Sequence, residues 1–271
     1  MLRRVIVGAS IAAASWAAYF TARRWYETWG VEPDEQTRPL PGDDLIPDGT
    51  ALLTRGITID APPEAVWPWL VQIGFGRGGW YSYDQMDMRG KSADAILPEY
   101  QNLAVGDTVP VSPDAGFTVK LVEPNHALGV YIDTEIVESW QKKASESIAV
   151  KETPGLSMSG GMLSTSMPQE FKISWTIVLE PVGVGQTRLI ERTRGWFGSG
   201  NVSTKAMMPM LGFGIFLMTR KQMLGIRDRV ERVASLERVE REAAVAVPMA
   251  AHEGNGKGET AAPDTVVASA G

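Results

Sequence analysis

Apolar and polar positions alternate with a period of two through much of the middle of this chain, the signature of half-buried strands. Leu53, Ile57 and Ile59 share one face of a first strand, with Thr54 and Thr58 on the other. Phe117, Val119 and Leu121 alternate with Thr118 and Lys120, and after a turn at Pro124-Asn125 the pattern resumes antiparallel at Leu128, Val130 and Ile132. A longer strand carries Phe171, Ile173, Trp175, Ile177 and Leu179 on one face and Lys172, Ser174, Thr176 and Glu180 on the other, with Val178 breaking the alternation. Gly183-Val184-Gly185 joins it to a last strand over 186–194, where Leu189, Glu191 and Thr193 share one face and Ile190, Arg192 and Arg194 the other.

Helical spacing brackets these strands. Asp60-Ala61-Pro62-Pro63-Glu64 reads as a helix start, because proline suits the first turn and a carboxylate favours the positive end. The predicted helix over 63–73 is apolar nearly all round and should be buried, with Pro68 bending it; a second short helix is predicted around 81–86. At the far end Phe216, Met223, Ile226, Val230 and Val233 recur at helical spacing, with Arg220, Arg227, Asp228 and Arg232 elsewhere on the wheel. The first part of that helix, 207–218, is nearly all apolar and holds four methionines. It fits a buried helix half, a cavity lining or a membrane-surface contact.

The ends read differently. Val5 to Ala22 is an apolar run of 18 residues between Arg3-Arg4 and Arg23-Arg24, followed by Trp25, Tyr26 and Trp29. That length reaches the lower limit for a bilayer span, and the flanking aromatics and arginines suit the headgroup zone. A cleaved secretory signal, weakened by the lack of a clean small-residue cleavage site, and a soluble leader helix are the competing readings. Positive charge on both flanks leaves the orientation open. The expected organisation is a transmembrane anchor over 1–24, an acidic proline-rich tether over 25–50, a folded domain over 51–240 and a disordered tail over 241–271. Within the domain, 138–169 reads as a long mobile loop.

Composition narrows the chemistry. A net charge of −6 argues against nucleic acid as a partner, and the absence of cysteine removes thiol catalysis, disulfides and thiolate metal sites. The two histidines, His126 after a turn signal and His252 in the tail, give no triad and no zinc set, so neither metal nor cofactor is expected.

The densest chemistry is Arg77-Gly78-Gly79-Trp80-Tyr81-Ser82-Tyr83-Asp84, three large aromatics beside a carboxylate, which reads as a core plug or a cavity wall. Tyr81 and Tyr83 cannot share one helical face, so at most one offers its hydroxyl to a ligand. Glu191 is a candidate acid or base if Leu189 faces inward, and otherwise a solvated or arginine-paired carboxylate; Asp84 is either a cap or a polar cavity contact.

Element order and motifs together resemble the SRPBCC superfamily (START, Bet v 1 and polyketide cyclase/dehydrase-like domains). The matching pieces are Ile57-Thr58-Ile59-Asp60-Ala61-Pro62-Pro63-Glu64-Ala65-Val66-Trp67, the Arg77 to Asp84 run, Thr187-Arg188-Leu189 and Met223-Leu224-Gly225-Ile226-Arg227. The Trp80 to Asp84 run resembles a bacterial membrane-tethered subgroup without agreed biochemistry. The resemblance implies an α+β helix-grip fold, in which a curved antiparallel sheet grips a long C-terminal helix over an elongated apolar cavity. It implies a small hydrophobic, lipid-like or polycyclic ligand. Walls would come from Trp67, Trp80, Tyr81, Tyr83, Trp175, Phe213 and Phe216, and polar anchors from Glu191, Arg192 and Asp84. The expected function is therefore a membrane-tethered binding domain. A cyclase, dehydratase or hydrolase using Glu191 or Asp84 is the enzyme alternative, and an assembly factor with a self-filled interior is the third.

Overall fold

The computed structural model describes residues 17, 19–49, 51–87, 91–148, 170–198 and 202–246. Most of the expected span from Val5 to Ala22, most of the expected loop over 138–169, and His252 with most of the tail lie outside them. Among the described residues no helix is long and apolar enough to cross a membrane. The chain divides into two compact units, Met1–Arg232 and Val233–Gly271. The second is helical over 233–246, where Leu236 and Val239 are exposed.

The first unit is α+β. After a helix α1 (19–27) come β1 (Ala51–Ile59), α2 (Pro63–Val71), α3 (Asp84–Asp87), β2 (Thr108–Ser112), β3 (Ala115–Glu123) and β4 (Ala127–Asp133). Helix α4 (Thr134–Ile148), β5 (Phe171–Val182), β6 (Gln186–Phe197) and the part of the long α5 (Val202–Ala246) up to Arg232 complete it. Six antiparallel strands form one curved sheet in the order β1-β6-β5-β4-β3-β2. Consecutive strands from β2 to β6 are neighbours, and β1 closes the other side against β6.

The alternation seen in the sequence sorts the two faces. Arg55, Glu191 and Ile177 stand in one cross-strand row, as do Ile57, Leu189 and Leu179. This face looks toward α5, because the Arg55 guanidinium donates to Thr219 Oγ1 at 3.0 Å and lies over the Phe216 ring at 5.6 Å. Phe216, Met223, Ile226 and Val230 are the buried stripe of α5, as their spacing predicted. Helix α2 buries Val66, Trp69, Leu70 and Val71 despite Pro68 in its middle.

The opposite face carries the main departure from the expected tether. Residues 30–49 form an ordered strap across the sheet, held by arginines of β6. Arg188 donates through Nε and Nη2 to both carboxylate oxygens of Glu35 at 2.6 and 2.7 Å. Arg192 donates to Asp43 at 2.7 Å and to the carbonyls of Arg38 and Glu35; Arg194 donates to the carbonyls of Ile46 and Pro47, each at 2.9 Å. Arg38 in turn forks onto Glu180 at 2.8 and 2.6 Å. Beneath these contacts Leu40 is buried with Ala127, Val178 and Ile190. The strap's acidic residues meet a row of strand arginines, and its Leu40 fills an apolar patch, so the segment folds onto the sheet. Val178, which broke the alternation, is the floor of that patch.

The expected loop also begins as structure. Helix α4 takes its first residues, and the Ile136 N–H donates to the Asp133 carboxylate at 2.9 Å at its start.

Candidate ligand-binding site

Three buried side chains and a half-buried indole where the sheet meets α5 make the most unusual constellation of the first unit. Glu191 and Arg55 face each other from neighbouring strands, Oε1 to Nη1 3.5 Å apart, with 2% and 1% of their surfaces exposed. That separation is an ion pair without a hydrogen bond. Among the described residues, neither oxygen of Glu191 has a hydrogen-bond partner, and the same holds for Arg55 Nη2, Trp175 Nε1 and Gln222 Nε2. Arg55 is otherwise anchored, its Nε donating to the Tyr26 carbonyl at 3.1 Å. Gln222 lies three residues beyond Thr219 on α5, which places the two on one helix face.

The electrostatics follow from burial. Loss of solvent pushes the Glu191 carboxyl above its ordinary value, against the pull of the Arg55 charge and of the nearby Trp175 N–H. Loss of solvent likewise lowers Arg55, against the Glu191 charge. Buried polar atoms normally find partners, and each exception needs a reason.

Next to this pair lies an apolar hollow lined by Ile73, Val109, Leu128, Val130, Trp175 and Ile177, with a volume of about 10 Å³. That is room for roughly one water molecule. This hollow is far smaller than the elongated cavity that the family resemblance implied. Three half-buried aromatics stand at one end. Trp80 lies 6.0 Å from Trp175, and Phe117 6.2 Å from Trp175, by ring centroids.

Of the other expected wall residues, Tyr81 is buried and Tyr83 exposed. The Tyr81 hydroxyl accepts from Gln72 Nε2 at 2.7 Å, and its ring packs edge-on to Trp69 and under Arg229. Burial, only partly offset by the Gln72 hydrogen bond and the Arg229 charge, pushes its hydroxyl up to about 12. Tyr81 therefore packs rather than presenting its hydroxyl. Asp84 accepts from Ser92 Oγ at 2.5 Å, while that same oxygen accepts from the Tyr81 N–H at 3.0 Å. It locks the turn in which Tyr81 holds φ 56°, a left-handed conformation. Arg192 faces the strap, away from α5, because parity puts it opposite Glu191. Trp67 is half-buried on α2; Phe216 is buried against Arg55, while Phe213 is exposed. The structure thus joins Glu191, Trp175, Trp80 and Phe216 in one region and sends Arg192, Tyr83 and Asp84 elsewhere.

Arg55, Gln222 and Phe117 were missing from the expected set. Arg55 had a signal: it lies between Leu53 and Ile57 on a face otherwise apolar, and parity alone points it inward. Gln222 had none short of the helix packing.

His126 caps the β3–β4 turn, its Nδ1 2.6 Å from Glu123. Among the described residues no three histidine or carboxylate side chains converge as metal ligands would.

No family model matches the chain, and no curated protein matches it in sequence. Solved structures similar in fold include protein MLL2253 from Mesorhizobium loti, at 14% identity and a TM-score of 0.34, covering 67% of this chain and 98% of that one. A solution structure of a protein from Arthrobacter aurescens shows 15% identity and a TM-score of 0.34, with 74% and 92% covered. CalU16 from Micromonospora echinospora shows 14% identity and a TM-score of 0.27, with 68% and 87% covered. Likenesses this low do not assign a family.

Proposed function

We propose that this chain is a helix-grip domain of the SRPBCC type, held at a membrane by its N-terminal apolar run, that binds a small hydrophobic molecule by a polar end. The observation that carries this reading is the set of buried polar atoms on Glu191, Arg55, Trp175 and Gln222 that lack a hydrogen bond, Glu191 and Arg55 meeting only as an ion pair. A carboxylate, a guanidinium, an indole N–H and an amide held dry under α5 are costly unless a polar group completes them. A ligand carrying a hydroxyl or carbonyl next to an apolar body satisfies the donors and the carboxylate together.

The volume sets a condition on that reading. Ligand pockets run from about 300 Å³ upward, so a hollow of about 10 Å³ has to open. The half-buried stack of Trp80, Trp175 and Phe117 is the part free to swing, since its rings are not enclosed on all sides. The enzyme alternative narrows to Glu191, because Asp84 is taken up in the Tyr81 turn.

The small hollow itself favours a second reading, a non-catalytic assembly factor whose interior is filled by its own side chains. Native mass spectrometry of the detergent-extracted full chain separates the two. The binding reading expects a co-purifying small molecule that is lost in the R55M/E191M double variant while cooperative melting persists. No adduct from several expression hosts, with no thermal shift from a panel of amphiphilic sterols, polyketides and fatty acids, leaves the assembly reading standing.

A further inference from the structure

The chain holds a second apolar feature that a ligand site does not explain. From Ala206 to Met218 thirteen consecutive residues carry no polar side chain, and all lie in α5. Thirteen helical residues rise about 20 Å, too short for a hydrocarbon core of about 30 Å. The segment is not a core helix either. Phe213, Ile215, Leu217 and Met218 are 45%, 48%, 41% and 37% exposed, and at about 100° per residue they point around most of the circumference. Among the described side chains of the segment, Phe216 turns into the core.

What lies beside this stretch indicates its cover. Trp25 of α1 meets the Phe216 ring edge-on at 5.1 Å, and Tyr26 meets Phe213 at 5.8 Å. Tyr19 and Trp25 of α1 are themselves exposed. Helix α1 continues the apolar run from Val5 to Ala22, so that run leads directly to the bare part of α5. Arg24 on α1 and, just past the apolar stretch, Arg220 and Lys221 supply cations near it, while Arg23 is paired with Glu27 at 2.6 Å. An apolar body edged by aromatics and arginines is the composition of a segment lying in the bilayer interface.

We propose that the front of α5 and the adjoining α1 bed together in the headgroup and upper acyl region of an anionic lipid bilayer. The domain is then seated on the membrane by a surface, not merely tied to it by a chain. This rests on the membrane part of the proposed function and not on ligand binding, and its test needs no ligand.

The absence of cysteine makes the test direct. Single-cysteine variants Ile215→Cys and Leu217→Cys, with Val184→Cys at the fully exposed β5–β6 turn as reference, are labelled with a nitrobenzoxadiazole fluorophore. The full chain is reconstituted in phosphatidylcholine vesicles containing about 30% phosphatidylglycerol and a doxyl-labelled lipid. Bedding gives blue-shifted emission and at least about threefold stronger lipid quenching at 215 and 217 than at 184. Arg220→Glu with Lys221→Glu weakens that quenching in anionic vesicles more than in neutral ones. Quenching at 215 and 217 equal to that at 184 overturns the proposal. Blue-shifted emission without lipid quenching, appearing with rising protein concentration, overturns it in favour of a second copy of the chain.

Discussion

Arg55 and Glu191 concentrate the chemical tension of this molecule in one cross-strand row. Burial holds the Glu191 carboxyl above its ordinary value, so the folded chain binds that proton more tightly than the unfolded one. Stability from this group is therefore fully present below the unfolded value of about 4.3 and is lost as pH rises toward the folded value. Glu35 acts in the opposite sense. Burial opposes its ionisation, but the Arg188 hydrogen bonds, the Glu32 N–H and the nearby arginine charges outweigh that and hold it low. Its contribution is lost only as pH falls below the ordinary carboxylate range. Denaturant titrations from about pH 4.3 upward should show wild-type stability falling with rising pH, and Glu191→Gln removing most of that slope. An unchanged slope in the variant would place the titrating group elsewhere. Replacing either partner alone by methionine strands the other charge and costs about 3–5 kcal/mol, whereas the double replacement costs less than either single one. A double variant as unstable as the sum of the singles contradicts this account of the pair.

Among the elements, the docking of the aromatic turn onto α5 depends on one glycine. A Cβ on Gly225 would stand 2.1 Å from the Tyr81 carbonyl oxygen, a backbone atom that cannot swing away. In a solvent-facing helix, glycine to alanine would gain about 1 kcal/mol. Here Gly225→Ala is expected instead to destabilise by about 1–3 kcal/mol, read from urea denaturation midpoints, because the Tyr81 turn must lift off the helix. A stabilised variant would mean that the turn and helix do not meet as described. The Met223-Leu224-Gly225-Ile226-Arg227 motif was legible in the sequence, but the reason for its glycine was not. Nothing local marks a close approach between residues so far apart in the chain. The short helix beginning at Tyr81 went the other way: one was predicted around 81–86, yet α3 spans only Asp84–Asp87, because Tyr81 takes a left-handed turn fixed by Ser92.

At the scale of the first unit, both faces of the sheet are covered, one by α5 and the other by the strap. Gly56 of β1 gives the clearest sign of how closely the strap's clamp is built in. A side chain there would collide with the Arg188 guanidinium as it reaches Glu35 and the Gly30 carbonyl. Arg188→Met strands the buried Glu35 carboxylate and should cost about 3–5 kcal/mol. It should also release the strap locally, so that the glutamate-specific endoproteinase Glu-C cleaves after Glu35 at least about tenfold faster than in wild type. Cleavage at the wild-type rate would show that the apolar seat of Leu40, not the arginine, holds the segment. The chain leading from the N-terminal run is thus clamped to the sheet before the first strand begins, which suits a domain seated at a surface better than one on a free tether.

Period-two alternation was enough to determine the strands on either side of the two hairpin turns and that Leu189 and Glu191 share a face, and helical spacing the buried stripe of α5, because these depend on neighbours a few residues away; which face of the last strand looks inward was left open. Strand β2 escaped notice: Thr108–Ser112 is short, contains Pro110 and ends in a register shift against β3, so little alternation survives in it. The strap escaped for a different reason. An acidic, proline-containing stretch looks solvated until the arginines of a strand some 150 residues later are placed beside it, although Val178 and Ile190 on the supposedly polar face already hinted at a cover. Whether the space beneath α5 is open or filled, and that Arg55 rather than Arg192 faces Glu191, were likewise decided only by tertiary packing. Periodicity tells which side of an element is apolar, but only the meeting of distant elements fixes which charges pair and how much room remains between them.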